Sequence, residues 1–353
     1  MNDSEKYVEE YKSIIPEYEL FIAGMKNLVS QLVKKEDVVT IEARVKTADS
    51  FKEKIEREGK NYQDPLKQIT DLAGIRIITY RLSDIETVKK VIEDNFTIDS
   101  SNSEDKTKRK DPDKFGYLSV HYVITHSTER EKLPEYSNFV SFKCEVQIRT
   151  VLQHAWAAID HKLRYKSKDD IPEELLRPLY RMRALLEVAD EQFEASFKHI
   201  TEVREKYNTS VESNSFKDIP LDIESLSAYV KNSPHIKSLR LAAEQKDLNI
   251  TKSSPNCKTQ EYSRLLYIMK LAEIESIAEF DGLIGELLDK KDDIWSKINE
   301  EWKIGKSDEN LRLVITEDNV MSIIFFIALN NSDKATKIFF RTWHKKFASQ
   351  ECS

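Results

Sequence analysis

Residues 142–150 constrain the fold more than any other stretch, because their apolar and polar side chains alternate as far as Arg149. Such alternation predicts a strand with one face on a core and the other face open to chemistry. The apolar face comprises Val140, Phe142, Cys144, Val146 and Ile148, and the polar face comprises Lys143, Glu145, Gln147 and Arg149. A carboxylate beside an amide and cations suits metal and phosphate chemistry, whereas an ordinary solvated sheet face is the alternative. From residue 148 the apolar spacing changes to three and four, which predicts a helix with the stripe Ile148, Val151, Leu152, Ala155, Trp156, Ile159 and Leu163.

The composition limits the class of protein. A length of 353 residues predicts two domains, and a net charge of −7 argues against a general nucleic-acid binder. Any nucleotide site must then be a local basic patch. The three cysteines, Cys144, Cys257 and Cys352, lack the spacing of a disulfide or metal site, and the polar N-terminus lacks a signal segment. We therefore expect a cytoplasmic protein that does not enter a membrane.

A basic string follows the first predicted strand. Residues 4–35 have the apolar spacing of a helix, and residues 38–45 have that of a short strand. A second helix is predicted to begin at Asp49 or Ser50. The strand and this helix together present Arg44, Lys46, Ser50, Lys54 and Arg57. Cations that converge on a helix N-terminus suit a polyphosphate, and an ordinary charged surface helix is the alternative.

Two further segments deliver polar residues to predicted strands. The strand at residues 75–80 is preceded by Asp71, a carboxylate of the kind that holds Mg²⁺ together with substrate phosphates. The segment 115–124 places Tyr117 and His121 on another strand. Between them we predict a helix at residues 84–92 and a polar loop at 97–114. That loop contains a basic cluster of Lys106, Lys108, Arg109, Lys110 and Lys114.

Four motifs, in the order in which they occur along the chain, resemble the synthetase domain of the RelA/SpoT alarmone enzymes. They are the basic string from Arg44 to Lys54, Asp-Leu-Ala-Gly-Ile-Arg at 71–76, Gly-Tyr-x-Ser-x-His at 116–121, and Glu-Val-Gln-Ile-Arg-Thr at 145–150 with His-Ala-Trp-Ala and Asp-His after it. The resemblance covers roughly residues 35–205. It implies an α/β (α+β) fold, with a nucleotidyltransferase-like mixed sheet flanked by helices.

The resemblance also implies a reaction, in which the β,γ-pyrophosphate of ATP moves to a ribose 3′-hydroxyl. ATP would be the donor and Mg²⁺ the cofactor. Arg44 and Arg76 would enclose the adenine, while Asp71 would bind Mg²⁺ and Glu145 would bind Mg²⁺ or accept the proton. The ATP phosphates would contact Lys46, Ser50, Lys54 and Arg57. The acceptor would stack on Tyr117 and contact His121 and Gln147, with Lys114 of the basic cluster on the same side.

The sequence leaves two classes of acceptor open. GDP or GTP is the first expectation, but Leu118 stands where the family often has arginine, and the lysine-rich loop precedes it. Some toxin-like members of the family act on the 3′ end of tRNA, which is the alternative. A catalytically inactive fold used for binding is a third interpretation, disfavoured by the presence of Asp71 and Glu145. The chain has no His-Asp dipeptide, so we expect no alarmone hydrolase domain.

The remaining chain predicts a separate helical domain. We assign residues 1–207 to the synthetase domain, residues 208–220 to a linker rich in serine and asparagine, and residues 221–353 to a mainly α-helical C-terminal domain. Helices are predicted at 171–207, 262–278, 279–298 and 320–347. A regulatory or neutralising role, with a protein as partner, is the hypothesis for this domain, and homo-oligomerisation stays open.

Overall fold

The computed structural model describes residues 3–57, 59, 61–105, 119–164, 173–245, 249–251, 262–263, 265–267, 269–270, 273–288 and 314–316. The chain forms two compact units, Met1–Phe197 and Lys198–Ser353. No helix within the described ranges has both the length and the apolar character that a membrane crossing requires.

A mixed sheet forms the centre of the first unit. Its strands are β1 (Val38–Val45), β2 (Ala73–Thr79), β3 (Phe96–Ile98), β4 (Glu104–Asp105), β5 (Val120–His126) and β6 (Cys144–Thr150). The strand order is β1-β2-β6-β5-β3, with β4 paired to β5. The pair β2–β6 is parallel, whereas β1–β2, β5–β6, β3–β5 and β4–β5 are antiparallel. The predicted mixed sheet is therefore confirmed.

Seven α-helices of the described residues belong to the first unit or begin in it. They are α1 (Asp3–Leu32), α2 (Ala48–Ile55), α3 (Pro65–Gln68), α4 (Leu82–Asn95), α5 (Thr128–Glu131), α6 (Val151–Arg164) and α7 (Glu173–Glu212). The apolar stripes of α1 and α4 pack on one face of the sheet, where Phe21, Met25 and Val88 are fully buried. This burial leaves the opposite face of β2, β5 and β6 to its polar side chains.

The register across the sheet places these polar side chains in rows. One row runs through β1, β2, β6 and β5 and comprises Glu42, Arg76, Gln147 and His121. The adjacent row comprises Arg44, Gly74, Glu145 and Val123. Neighbouring strands lie about 4.7–4.9 Å apart, so residues from four distant segments become direct neighbours.

The second unit has a core of its own. It contains α8 (Ile223–Asn232), α9 (Pro234–Glu244), α10 (Ile277–Leu288) and the parallel strand pair β7 (Asn249–Thr251) and β8 (Val314–Thr316). Tyr229, Phe280 and Ile284 are fully buried in its apolar cluster. The predicted helical character is confirmed for the described part, while most of 289–353, including the predicted helix 320–347, lies outside the described residues.

Several predicted boundaries were wrong. Strand β6 begins at Cys144, because residues 137–139 form a short 3₁₀ helix that is followed by a turn, in which Val140 is exposed. Helix α2 begins at Ala48, because the hydroxyl oxygen of Thr47 accepts a hydrogen bond from the Ser50 N–H and caps the helix. The segment predicted as one loop at 97–114 begins with β3 and contains β4.

The predicted stripe on α6 was also partly wrong. Val151 and Ile159 are exposed, whereas Trp156 and the polar Gln153 are buried. Gln153 Oε1 accepts from the Thr150 N–H and its own N–H donates to Thr150 Oγ1, both over 3.1 Å. This reciprocal capping box rotates the helix so that Gln153 faces inward.

The predicted linker at 208–220 is helical in its first part, because α7 continues to Glu212. The two compact units divide between Phe197 and Lys198, within the bounds of α7. The serine and asparagine residues that suggested a linker therefore begin on a helix. The hydroxyl groups of Thr209 and Ser213 donate hydrogen bonds to carbonyl oxygens four residues earlier, those of Glu205 and Thr209.

Candidate active site

The polar face of the sheet holds a cluster of charged side chains around two carboxylates. Asp71 lies on the segment that enters β2, and Glu145 lies near the start of the neighbouring parallel strand β6. Gly74, three residues after Asp71, is the register partner of Glu145, so the two carboxylates lie on neighbouring segments of the sheet. Parallel pairing of β2 and β6 therefore gathers both predicted catalytic residues at one end of the sheet.

Asp71 is held between two lysines. Lys54 Nζ lies 2.8 Å from one carboxylate oxygen and Lys46 Nζ lies 3.0 Å from the other. Burial of Asp71 opposes its ionisation, but the hydrogen bond from Lys54 and the charge of Lys46 outweigh it, so its pKa lies below the ordinary value. The carboxylate is therefore ionised and already neutralised by cations that were predicted to hold phosphates.

Arg44 and Arg76 lie on adjacent strands with a glycine between them. A Cβ atom at residue 74 would lie 4.0 Å from Arg44 Cγ and Nε, so the Arg44 side chain passes across Gly74. Arg76 donates to the Glu42 carboxylate over 3.1 Å, and the two residues are register partners. The absence of a side chain at Gly74 leaves room for the two guanidinium groups on the same face.

Glu145 accepts contacts on both of its oxygens. Gln147 Nε2 donates to Oε2 over 2.9 Å, and His121 Nδ1 lies 3.5 Å from Oε1. Burial of Glu145 raises its pKa, but the His121 contact and the Gln147 hydrogen bond lower it by more. The net shift is downward in spite of the nearby charge of Asp71. Glu145 is therefore an ionised carboxylate that is fixed by two neighbouring side chains.

These side chains line two connected clefts. The smaller, of about 260 Å³, is bounded by Glu42, Ala43, Arg44, Gly74, Ile75, Arg76, Glu145 and Gln147. The larger, of about 980 Å³, shares Arg44, Arg76 and Gln147 with it and extends to Arg57, Arg149, His154, Asp160, His161, Tyr180 and Arg183. The larger cleft alone is within the range of cofactor-sized sites, about 300–1,000 Å³, and its arginines favour an anionic ligand.

The carboxylates fit a divalent metal. Mg²⁺ is usually bound by one or two protein carboxylates together with waters and substrate phosphates. Asp71 and Glu145 supply two ionised carboxylates beside a cleft lined with cations. No group of three or more metal-binding side chains occurs in the described part of the chain.

The other predicted site residues have different outcomes. Arg57 lies beyond the end of α2 and lines the larger cleft, while the Ser50 hydroxyl accepts from Thr47 Oγ1 over 2.9 Å. His121 joins the Glu145 cluster as described. Tyr117 and Lys114 lie outside the described residues, as does the basic cluster at 106–114.

Sequence reasoning missed three members of the cluster. Glu42 shares a strand face with Arg44, so its spacing could have indicated a partner for an arginine on the next strand. Arg149 contacts Gln147 and His121, although no role was assigned to it from the motif. The His154 Nδ1 atom is buried without a hydrogen-bond partner in the part of the chain that the structure describes. Burial and the charges of nearby arginines lower the pKa of His154, which therefore favours a neutral imidazole.

Comparisons with known proteins agree with this arrangement. Residues 43–170 match the family described as "Region found in RelA / SpoT proteins". The chain is 26% identical over 201 residues to GTP pyrophosphokinase YwaC of Bacillus subtilis (strain 168), covering 54% of this chain and 92% of that protein. It is also 26% identical over 191 residues to GTP pyrophosphokinase YjbM of the same strain, covering 53% of this chain and 85% of that protein.

Among solved structures, the small alarmone synthetase 1 from Bacillus subtilis aligns with a TM-score of 0.42 and 24% identity. The alignment covers 57% of this chain and 100% of that one. The family match spans the segments that carry Arg44, Asp71, Glu145 and Gln147. Residues 43–170 of this chain are therefore similar to the region found in RelA/SpoT proteins.

Proposed function

We propose that the first unit is an ATP-dependent pyrophosphotransferase that moves the β,γ-pyrophosphate of ATP to the 3′-hydroxyl of GDP or GTP. The observation that supports this most strongly is the pair of ionised carboxylates, Asp71 and Glu145, at one end of a cleft lined by Arg44 and Arg76. The two GTP pyrophosphokinases that this chain resembles carry that activity in their names. Transfer of a phosphoryl group depends mostly on positioning and charge neutralisation, and the cleft offers both.

ATP is expected to bind at the arginine and lysine side of the cleft. The planar guanidinium groups of Arg44 and Arg76 suit the two faces of an adenine ring. Lys46 and Lys54, which hold Asp71, are near enough to one another to contact a shared phosphate chain. Arg57 extends this cationic surface into the larger cleft. The donor site would thus consist of residues from β1, β2, α2 and the turn after α2.

The transfer itself needs a base for the acceptor hydroxyl. In the proposed reaction the 3′-oxygen bonds to the β-phosphorus of ATP, the bond from that phosphorus to the α,β-bridging oxygen breaks, and AMP leaves. The acceptor proton passes to Glu145, which is ionised and faces the cleft. Asp71 and Glu145 would hold Mg²⁺, which supplies charge neutralisation on the phosphates when it is bound.

The test uses the full chain with ATP labelled in the γ-phosphate. The purified protein is offered GDP, GTP or bulk tRNA as acceptor, and the products are separated by chromatography. Label on a guanine nucleotide, with release of AMP, is the expected result. The matched control is Glu145→Gln, which keeps the size of the side chain and removes its charge. Equal label in the control and the unchanged protein would contradict the proposed role of this cluster.

The tRNA arm decides between two acceptor classes. Label on tRNA but not on GDP or GTP would replace the proposed acceptor by an RNA 3′ end. The basic cluster at 106–114, which suggested that alternative, lies outside the described residues. A variant with Lys108, Arg109 and Lys110 changed to alanine would then be expected to lose labelling of tRNA. No label on any acceptor would reject pyrophosphate transfer.

A further inference from the structure

Glu145 and three neighbouring side chains form a closed ring of contacts. The other three members are Gln147, Arg149 and His121. Arg149 Nη2 donates to Gln147 Oε1 over 2.7 Å, and Gln147 Nε2 donates to Glu145 Oε2 over 2.9 Å. On the other side, His121 Nδ1 lies 3.5 Å from Glu145 Oε1 and His121 Nε2 lies 3.4 Å from Arg149 Nη2. Three of the four residues lie on β6, and β5 supplies the histidine.

The Arg149 guanidinium group and the Glu145 carboxylate together determine which atom donates in every contact of this ring. A guanidinium group can only donate hydrogen bonds, and an ionised carboxylate can only accept them. The Gln147 amide must therefore turn its oxygen to Arg149 and its nitrogen to Glu145. By the same reasoning His121 accepts at Nε2 and donates from Nδ1, which corresponds to one neutral tautomer of the imidazole.

We propose that Arg149 is a positioning residue that makes both Gln147 and His121 hydrogen-bond donors to Glu145. Arg149 is 8% exposed and its Nη2 atom faces both partners at once, as the two hydrogens of that nitrogen allow. Without the Arg149 donor, nothing in this ring holds the Gln147 oxygen away from Glu145, and nothing keeps the His121 Nε2 atom unprotonated. The Glu145 carboxylate would then lose its fixed orientation toward the cleft.

The inference deepens the proposed function, on which its catalytic consequence rests. Residues that orient a candidate metal ligand or base from behind typically change activity by ~10–100-fold when they are replaced. Arg149 lines the larger cleft, but its Nη2 atom is engaged by Gln147 and His121, so its replacement is expected to lower kcat more than it raises KM. A cation that binds phosphate directly behaves in the opposite way. Arg149 is therefore expected to differ in this respect from Arg57.

The first test reads the His121 tautomer and needs no enzymatic activity. The full chain is labelled with ¹⁵N-histidine, and the signals of its seven histidines are compared with those of His121→Gln at about pH 8, where free imidazole is neutral. We expect His121 to show a protonated Nδ1 and an unprotonated Nε2. In Arg149→Met this pattern should change to Nε2–H or to an average of both tautomers. Arg204→Met removes an arginine that pairs with Glu224 in the second unit and should leave the His121 signals unchanged.

The second test measures kinetics of the same variants. Arg149→Met is expected to lower kcat by ~10–100-fold with less than about a threefold change in KM for ATP. Arg57→Met should mainly raise KM. A wild-type His121 that is protonated at Nε2, or an Arg149→Met protein with unchanged His121 signals, would overturn the inference. So would a rise in KM with unchanged kcat, because Arg149 would then be a substrate ligand. Lack of transfer by the wild-type protein would reject the proposed function and leave the tautomer result to decide the role of Arg149.

Discussion

The surroundings of Asp71 and Glu145 differ in the kind of group that stabilises each carboxylate. Both groups are largely buried, and both have a pKa below the ordinary value. Asp71 is stabilised by two ammonium groups, from Lys46 and Lys54. Glu145 is stabilised mainly by an imidazole and an amide. The same electrostatic result is therefore reached with mobile cations at one carboxylate and with oriented polar groups at the other.

This difference indicates which half of the site is expected to change when a ligand binds. Lysine ammonium groups sit on flexible four-carbon chains and can turn from a carboxylate to a phosphate. Release of Asp71 by Lys46 and Lys54 would then leave its oxygens to a metal. At Glu145 no ammonium group contacts the carboxylate directly; its partners are Gln147 and His121, which Arg149 in turn contacts. We therefore expect rearrangement at Asp71 and a rigid environment at Glu145.

The largest expected effect on activity is at Glu145, the carboxylate with the rigid environment. Glu145→Gln should lower the transfer rate by ~10²–10⁴-fold, because general-base help of that size is lost. KM for ATP should change little, since the predicted donor contacts are on β1, β2 and α2. Initial rates with labelled ATP measure both values, and thermal unfolding confirms that the variant folds. A loss smaller than about tenfold would show that the two carboxylates do not differ in this way.

Removal of a lysine beside Asp71 should weaken the use of ATP but strengthen the binding of a metal ion. Lys54→Met is expected to lower kcat/KM for ATP by roughly 10-fold, the size of one charge-assisted hydrogen bond. Without nucleotide the same variant should bind Mn²⁺ or Mg²⁺ more tightly, because Lys54 no longer competes for Asp71. Calorimetric titration with metal alone measures the second effect. Weaker metal binding in the variant would contradict the exchange of Asp71 between lysines and metal.

A smaller effect is expected where the arginines are proposed to enclose the adenine. Arg76→Lys keeps the positive charge beside Glu42 but removes the planar guanidinium group. Loss of such stacking is worth about 0.5–2 kcal/mol, so KM for ATP should rise roughly 2–30-fold with little change in kcat. Arg57→Lys is the matched control, since a phosphate contact tolerates a lysine. Equal KM values for Arg76→Lys and the wild type would place the adenine elsewhere.

The smallest expected effect concerns the stability contributed by Asp190. Its pKa is raised, whereas the pKa values of Asp71 and Glu145 are lowered. Asp190 is 4% exposed and accepts a hydrogen bond from Thr150 Oγ1 over 2.7 Å. Burial raises the pKa of Asp190 in spite of that hydrogen bond. A group with a raised folded pKa binds its proton more tightly when folded, so its contribution to stability falls as pH rises above the unfolded pKa.

Asp190→Asn should therefore raise Tm at neutral pH by about 2–4 °C, the shift that roughly 1 kcal/mol produces in a domain of this size. The gain should disappear below about pH 4, as the unfolded carboxyl also becomes protonated. Differential scanning calorimetry across this range measures the difference. A gain that grows toward low pH would have the wrong sign for a raised pKa. Asp71, whose pKa is lowered, contributes stability that is lost as pH falls.

Local sequence pattern was sufficient to predict most of the sheet and the membership of its polar face. Alternation along β6 identified Glu145 and Gln147, and the entry to β2 identified Asp71, because a two-residue period is visible in any single strand. The same patterns located α1, α4 and the helical nature of the second unit. Element ends were predicted less well, because Thr47 and Gln153 act through caps whose partners are specific side chains.

The partners of the polar side chains required the assembled sheet. Nothing local to β6 shows that Arg149 meets a histidine from β5, or that Arg76 meets Glu42, since these contacts depend on strand order and register. Nor does the sequence show that Lys46 and Lys54 share Asp71. A strand's own pattern specifies which side chains face the same way, because the backbone sets that period. Which charges become neighbours is set by pairing between segments far apart in the chain, so only the folded sheet identifies the groups that stabilise each carboxylate.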